Sequence, residues 1–567
     1  WGWRWPEGEV RRGQLVRMTI TAAARLTGAT GKAAAVAPML LLTLLVAPAH
    51  VVSDARITAR PTILQVVADD LGYDDLGYKN GVTHTPVIDA LVRGGIRLTD
   101  YYVMVVCSPT RSSLMTGRYP WHQGFYSVGG QGQAVNKSFT MLPALLRPAG
   151  YRTVAVGKWH LGYLLKDYTP TFRGFDAYLG YYNAALASYW YHGGPTNGCR
   201  NGWSTDLSNN TGQTIAGASV ATNGTYSTRL FTQYAVEQIA AHFAAAPGTP
   251  LYMYLAHEAV HSAGGGGIQA PLETVSMYDS AISNDTYKVA AAATTELDWS
   301  VGNVTDALKA AGVWNNTVLI FTTDNGGPLD HTYNTPLRGG KHTYWEGGVR
   351  GESFVYSALL PPAVRGTSWS GLAHVSDWYT TIVEGIAGIA MPVNTGPVSV
   401  DGQNLWPALT GANTTSPRTE VVIQAADPAV YNTTTALRVG PLKLIVGPPG
   451  DSRAVPFPDA PREPVPFGRS GGVVEPHTDH CTGPGMAGSA PSPPCNLGCL
   501  YNVAEDPSEV RNLAGEPAYA VQLASMRSRL AAAAKGALPP QELFSAKDAA
   551  TRAAKAANQA AMDRICA

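Results

Sequence analysis

The sequence predicts an α/β fold with a large mixed, mostly parallel sheet flanked by helices. A smaller C-terminal domain with a short antiparallel sheet follows it. Three observations carry this prediction. Four short apolar runs end abruptly in polar residues, helical patterns lie between them, and the texture changes past about residue 415.

The first run, residues 62–68 (TILQVVA), ends in Asp69-Asp70. The second, 153–156 (TVAV), ends in Gly157-Lys158-Trp159-His160. The third, 251–256 (LYMYLA), ends in His257 and then His261. The fourth, 318–323 (VLIFTT), ends in Asp324-Asn325. Each run is long enough for a buried strand and too short for a helix. Helical patterns occupy 85–94, 227–244 and 287–311. Strands alternating with helices imply a parallel sheet covered on both faces. In such sheets the site lies outside the carboxyl ends of the strands. Four strands that deliver Asp, Lys, His and Asn at those ends therefore predict one converging site.

Residues 421–424, 436–438 and 442–446 read as short strands joined by turns, which suits a small antiparallel sheet. Residues 450–498 hold ten prolines and read as a long irregular insertion. The expected division is a signal peptide with upstream residues (1–49) and a catalytic domain (58–415). A smaller α+β domain (416–535) and an Ala-rich tail (536–567) complete it. Length alone allows two to four domains at about 150 residues each.

The formal net charge is zero, from 41 basic and 41 acidic residues, so nothing global favours nucleic acid or an anionic membrane as partner. Six Cys in 567 residues exclude a disulfide-dense scaffold. After Met18, Arg25 and Lys32 precede an apolar run over 33–46, and Ala47-Pro48-Ala49 reads as a cleavage site. That is a signal-peptide pattern, and the run falls short of the roughly 20 residues a membrane span needs. Eight glycosylation sequons begin at Asn136, Asn209, Asn223, Asn284, Asn303, Asn315, Asn413 and Asn432. Together these features predict a glycoprotein of the secretory pathway, extracellular or lysosomal, with no stable membrane insertion.

The sharpest segment is Cys107-Ser108-Pro109-Thr110-Arg111, followed by Thr116-Gly117-Arg118. On physical grounds a Cys near an Arg at a helix start is a candidate low-pKa nucleophile, and a buried structural thiol is the alternative. The pattern Cys-x-Pro-x-Arg followed by Thr-Gly-Arg resembles the signature of the type I sulfatases. Further segments of that family's pattern follow in order. Ala68-Asp69-Asp70-Leu71-Gly72 resembles its first metal-binding segment, and residues 156–162 (VGKWHLG) its middle motif. Thr323-Asp324-Asn325-Gly326-Gly327 resembles its second metal segment. Residues 337–341 (LRGGK) and 345–350 (WEGGVR) resemble its late motif. Within the family, residues 173–176 (RGFD) and 314–318 (WNNTV) resemble the N-acetylgalactosamine-4-sulfatase branch.

The resemblance implies an alkaline-phosphatase-like sandwich and hydrolysis of sulfate esters, on aryl sulfates or sulfated carbohydrate. It implies that a formylglycine-generating enzyme converts Cys107 to Cα-formylglycine during maturation, and that the aldehyde hydrate is the nucleophile. It implies one Ca²⁺ held by Asp69, Asp70, Asp324 and Asn325 and touched by residue 107. Oxygen donors of this kind suit a hard divalent cation, and by residue type alone they also allow Mg²⁺. By the same analogy Arg111 and Lys158 supply fixed positive charge, and Asp324 helps to deprotonate the hydrate. His261 and Lys341 protonate the leaving oxygen, and His160 assists release of sulfate. These are tasks suited to His and Lys. The nearest alternative is a phosphatase or phosphonate hydrolase of the same superfamily, since both ester classes demand similar electrostatics. A catalytically dead binding protein is expected to lack one or more of Cys107, Lys158, His261 and Lys341, and all are present.

Two other motifs compete. His257-Glu258-Ala259-Val260-His261 matches the zinc-protease pattern H-E-x-x-H, which works only on a helix. Here it follows a strand and runs into glycines, so His257 reads as a bystander. His477, His480, Cys481, Cys495 and Cys499 match no standard zinc spacing. Cys199, Cys481, Cys495, Cys499 and Cys566 read as disulfide candidates that the sequence does not pair.

Overall fold

The structure is a computed structural model. It describes residues 60–126, 133–195, 203–212, 214–217, 224–263, 267–413, 415–425, 434–453 and 498–538. The expected signal peptide, most of the 450–498 insertion and nearly all of the Ala-rich tail lie outside the described residues.

A ten-stranded sheet organises the chain. In chain order its strands are β1 (Thr62–Ala68), β2 (Ile96–Leu98), β3 (Arg152–Lys158), β4 (Ala177–Tyr181) and β5 (Ser208–Thr211). Then come β6 (Thr214–Gly217), β7 (Leu251–Ala256), β8 (Thr317–Thr323), β9 (Ser353–Ser357) and β10 (Thr367–Trp369). The spatial order is β10-β2-β9-β8-β1-β7-β3-β4-β5-β6. The central strands β8, β1, β7, β3 and β4 are all parallel. Antiparallel pairing begins at β9 on one side and β5 on the other. The four sequence runs are thus β1, β3, β7 and β8, adjacent in the sheet centre.

These strands are mostly apolar or β-branched because both of their faces are covered. On β1, Ile63 and Val67 enter one core, while Leu64, Val66 and Ala68 enter the other. Helices α1 (Pro86–Gly94), α3 (Ser227–Ala245) and α4 (Asp285–Ala310) cover the second face, through Ile88, Phe231, Ile239, Leu297 and Val301. Helix α2 (Cys107–Thr116) covers the first through Leu114 and Met115. Helix α4 starts at Asp285, two residues before the expected position. The cause is a side-chain cap: Asn284 accepts from the backbone of Thr286 and Tyr287.

A second sheet of four antiparallel strands joins β11 (Glu420–Gln424), β12 (Thr435–Val439), β13 (Leu442–Val446) and β14 (Cys499–Asn502) in that order. The first three match the expected strands. Helix α5 (Ala520–Lys535) packs Leu523, Met526 and Leu530 on Leu437, Leu444 and Leu500 of this sheet. A buried charge cluster ties the sheet to the 345–350 segment: Lys443 Nζ lies 2.9 Å from a carboxylate oxygen of Glu346 and 2.9 Å from one of Glu509.

Candidate active site

All ten residues that the sequence marks for chemistry converge at the carboxyl ends of β1, β3, β7 and β8. Asp69 and Asp70 directly follow β1, and Asp324 and Asn325 directly follow β8. Lys158 ends β3, with His160 two residues on. Cys107 opens α2, whose ten residues are all buried. The helix amino terminus adds a partial positive charge at that point. Asp70 and His160 sit at φ +60 and +54, a region few non-glycine residues adopt. Such strain marks positions that the surroundings over-determine.

Two charge sets interlock around Cys107. Arg111 Nη2 lies 2.7 Å from Asp324 Oδ2, and its Nε donates to the same oxygen at 3.1 Å. Lys158 Nζ lies 2.6 Å from Asp69 Oδ2. Lys341 Nζ lies 2.7 Å from Asp70 Oδ2 and 3.0 Å from His261 Nε2. Asn325 Nδ2 donates to Asp70 Oδ1 at 2.7 Å, and the Asp70 amide donates to Asp324 Oδ1 at 3.2 Å. His160 Nδ1 lies 3.3 Å from Cys107 Sγ.

The site is buried, and burial governs its electrostatics. Burial, with Asp324 beside it, pushes Asp69 up to about 8. Burial also opposes ionisation of Asp70, yet His261 and Lys341 hold it well below the usual carboxylate range. Against the same burial, Arg111 and Lys158 hold Asp324 low. Burial and the nearby cations, Lys158 first, keep His160 neutral. Burial also lowers His261, to about 4. Its Nδ1 faces the Ser262 carbonyl at 2.7 Å. A neutral ring therefore donates from Nδ1 and accepts at Nε2 from Lys341.

Burial pushes the Cys107 thiol up, against the lowering by Lys158. The residue is buried, as a structural thiol would be, and it sits among ionised groups as a structural thiol would not. His257 stands apart from the site. It bonds Ser300 Oγ at 2.8 Å on the helix-covered side. The H-E-x-x-H segment follows β7 and is not helical. Cys499 is disulfide-bonded, which removes it from any zinc set.

The donor set fits a hard cation. Asp69 Oδ1 and Asn325 Oδ1 are buried oxygens with no hydrogen-bond partner among the described residues. Ligand atoms of Asp69, Cys107 and Asp324 lie within 4.8 Å of one another, as do those of Asp69, Asp70 and His261. An unpaired buried carboxylate oxygen is costly unless a cation or donor meets it.

Sequence reasoning missed two supporting groups. Tyr254 accepts from Arg111 Nη1 at 3.3 Å, and the Ser262 carbonyl orients His261. The available signal was the pair Tyr252 and Tyr254 inside a buried strand, since a buried phenol needs a polar partner.

Known proteins match this chain in sequence and in fold. The sequence profile of the family described as Sulfatase matches residues 61–389. Arylsulfatase J of Mus musculus is 35% identical over 418 residues, which cover 70% of this chain and 66% of that protein. N-acetylgalactosamine-6-sulfatase of Sus scrofa is 29% identical over 366 residues, covering 62% of this chain and 66% of that protein. The chain thus spans just under two thirds of the length of each. The crystal structure of Ps i-CgsB superposes with a TM-score of 0.65 at 25% identity, covering 85% of this chain and 94% of that one. The PsFucS1 sulfatase from Pseudoalteromonas sp. has the same fold, with a TM-score of 0.62 at 23% identity over 84% of this chain and 91% of that one.

Proposed function

This chain belongs to the sulfatase family, and from that premise we propose that it hydrolyses sulfate esters, of sulfated carbohydrate or aryl alcohols, at the site around Cys107. One observation carries the reading. A buried Cys107 with His160 at 3.3 Å lies between an acidic set with unpaired oxygens and a set of pinned cations. The relatives named for N-acetylgalactosamine sulfate support a carbohydrate substrate.

Asp69, Asp70, Asp324 and Asn325 would hold Ca²⁺, together with residue 107. Calcium would supply a hard divalent charge for sulfate oxygens. Converted to formylglycine by its generating enzyme, residue 107 would supply an aldehyde hydrate as nucleophile. Because Cys107 is buried in the fold, that enzyme would act before folding is complete.

The chain's own side chains then divide the work. Arg111 and Lys158 are fixed by Asp324 and Asp69, so their charges face sulfate without reorganisation. His160, a neutral base, takes or returns a proton at the side chain of residue 107. Lys341 carries the proton for the leaving oxygen, and neutral His261 holds that ammonium in place. The expected joint role of His261 and Lys341 thus separates into an orienting acceptor and an acid.

We read 58–415 as the catalytic domain and 416–535 as the smaller one. Secretion, to the exterior or to lysosomes, is supported by exposed sequon residues Asn209, Asn284, Asn315 and Asn413. Among the described residues no helix is long and apolar enough to cross a membrane.

Phosphate and sulfate esters would compete for the same charges. The test compares kcat/KM for 4-nitrophenyl sulfate and 4-nitrophenyl phosphate. The expected result is faster sulfate release. Faster phosphate release would favour the phosphatase reading.

A further inference from the structure

A cavity of about 530 Å³ opens between the large sheet and the small one, and none of the ten catalytic or metal-site residues lines it. Its volume falls in the range of about 300–1,000 Å³ that suits small organic ligands. Lys79, Arg97, Arg350 and Arg438 line it, against the carboxylates of Asp74 and Asp100. All four cations are buried or nearly so, and their geometry is fixed from behind and from the side. Glu352 pairs with Lys79, and with Arg97 at 3.3 Å. Asp100 holds Arg438 at 2.6 Å and Arg350 at 3.4 Å.

Three of those cations bear on one phenol. Arg97 Nη2 donates to the Tyr73 hydroxyl at 3.1 Å, and Lys79 Nζ lies 3.2 Å from the Tyr73 ring centroid. Although burial opposes it, Lys79, Arg350 and Arg97 pull the Tyr73 phenol below its usual value. The Tyr78 phenol on the same wall is pushed up instead, by burial and Glu352, so the preference for negative charge belongs to the Tyr73 side of the cavity. Pro336, Leu337, Pro441 and Pro507 add apolar surface to the wall, with Thr335 and Ser370 as further polar groups. Planar guanidinium groups match the oxygens of a carboxylate or sulfate. Proline, leucine and tyrosine faces suit the carbon skeleton of a sugar ring.

We propose that this cavity is a second binding site, separate from the Cys107 centre, for an organic oxyanion of monosaccharide size. The class is a hexose carrying a carboxylate or sulfate group. An acidic saccharide chain and a free acidic sugar both present that chemistry. The cavity wall at Leu337 lies four residues before Lys341 in the chain.

The test uses the full-length protein and glucuronate, which has no sulfate ester to hydrolyse, with inorganic sulfate as the second probe. Ser370 and Ala504 lie exposed at the cavity. Ser370→Trp fills the opening, and Ala504→Glu adds a negative charge there. Neither disturbs the buried ion pairs. Calorimetric titration is expected to give one glucuronate per chain, weakened at least about tenfold by either substitution. Turnover of 4-nitrophenyl sulfate should stay unchanged in both. Glucuronate that fails to bind, or binds both variants as it binds the parent, overturns the proposal. Inorganic sulfate that binds the cavity as tightly as glucuronate overturns the saccharide assignment. A chain without sulfatase activity that still binds glucuronate leaves this site standing, so the two readings fail separately.

Discussion

His160 Nδ1 lies 3.3 Å from Cys107 Sγ, and both side chains are buried. No other titratable side chain is bonded to that sulfur among the described residues. His160→Ala is therefore expected to lower kcat by about 10²–10⁴-fold, the usual range for a lost acid or base. KM should change little, because Arg111 and Lys158 still face the sulfate. Steady-state kinetics on an aryl sulfate measures both.

Lys341 is pinned between Asp70 and His261 at 2.7 and 3.0 Å. As the acid for the leaving oxygen, it matters most when that oxygen is a poor leaving group. Lys341→Met should cost about 10²–10⁴-fold on an alkyl sulfate and far less on 4-nitrophenyl sulfate. Equal losses on both would place Lys341 in sulfate binding alone.

Asn325 Oδ1 and Asp69 Oδ1 lack hydrogen-bond partners among the described residues. Calcium should therefore raise the melting temperature, and removal of divalent ions should lower it and abolish turnover. Free calcium at a hundred times its dissociation constant is worth about 2.7 kcal/mol. Asn325→Ala should lose most of that gain. A melting temperature indifferent to calcium in the parent protein would count against the site.

Lys443 is fully buried between Glu346 and Glu509. Lys443→Met would take the paired cation from buried Glu509 and leave Glu346 to Arg350 at 3.5 Å and the Tyr102 hydroxyl. Breaking such a pair from one side costs about 3–5 kcal/mol. Chemical denaturation should register that loss, and the small sheet should gain hydrogen exchange first.

Asp298 accepts from the backbone of Ile88 at 2.7 Å and of Val87 at 3.3 Å, at the start of α1. Burial outweighs those bonds and pushes it from 3.8 up to about 7. The folded-state value is the higher one. Its contribution is thus complete below pH 3.8 and lost as pH rises through about 7. Three pH units correspond to about 4 kcal/mol. Asp298→Asn, which cannot ionise, should flatten the stability profile between pH 4 and 7. An unchanged slope would refute the shift.

What the sequence revealed depended on range. The run 62–68 is legible because six of its seven positions are apolar or β-branched, which needs two covered faces, and the fold supplies both. Strand β2, Ile96–Leu98, is only three residues long and owes its place to β9 and β10. No local pattern reports such partners. In the site, polar residues at strand ends were legible because the fold class puts ligands there. Tyr254 under Arg111 was not, since that role exists only once distant segments meet. The Ser262 carbonyl follows His261 directly, but the turn that brings it to Nδ1 has no sequence signal. The burial of Cys107, which pushes its thiol up against Lys158, likewise depends on the assembled fold and not on its chain neighbours.

The central claim is that Cys107 carries the chemistry only after conversion. Mass spectrometry of the tryptic peptide containing position 107, from secreted and active protein, tests this most directly. The account predicts the mass of formylglycine at that position, with sulfate release proportional to the converted fraction. An intact thiol at position 107 in protein that hydrolyses sulfate esters would contradict it.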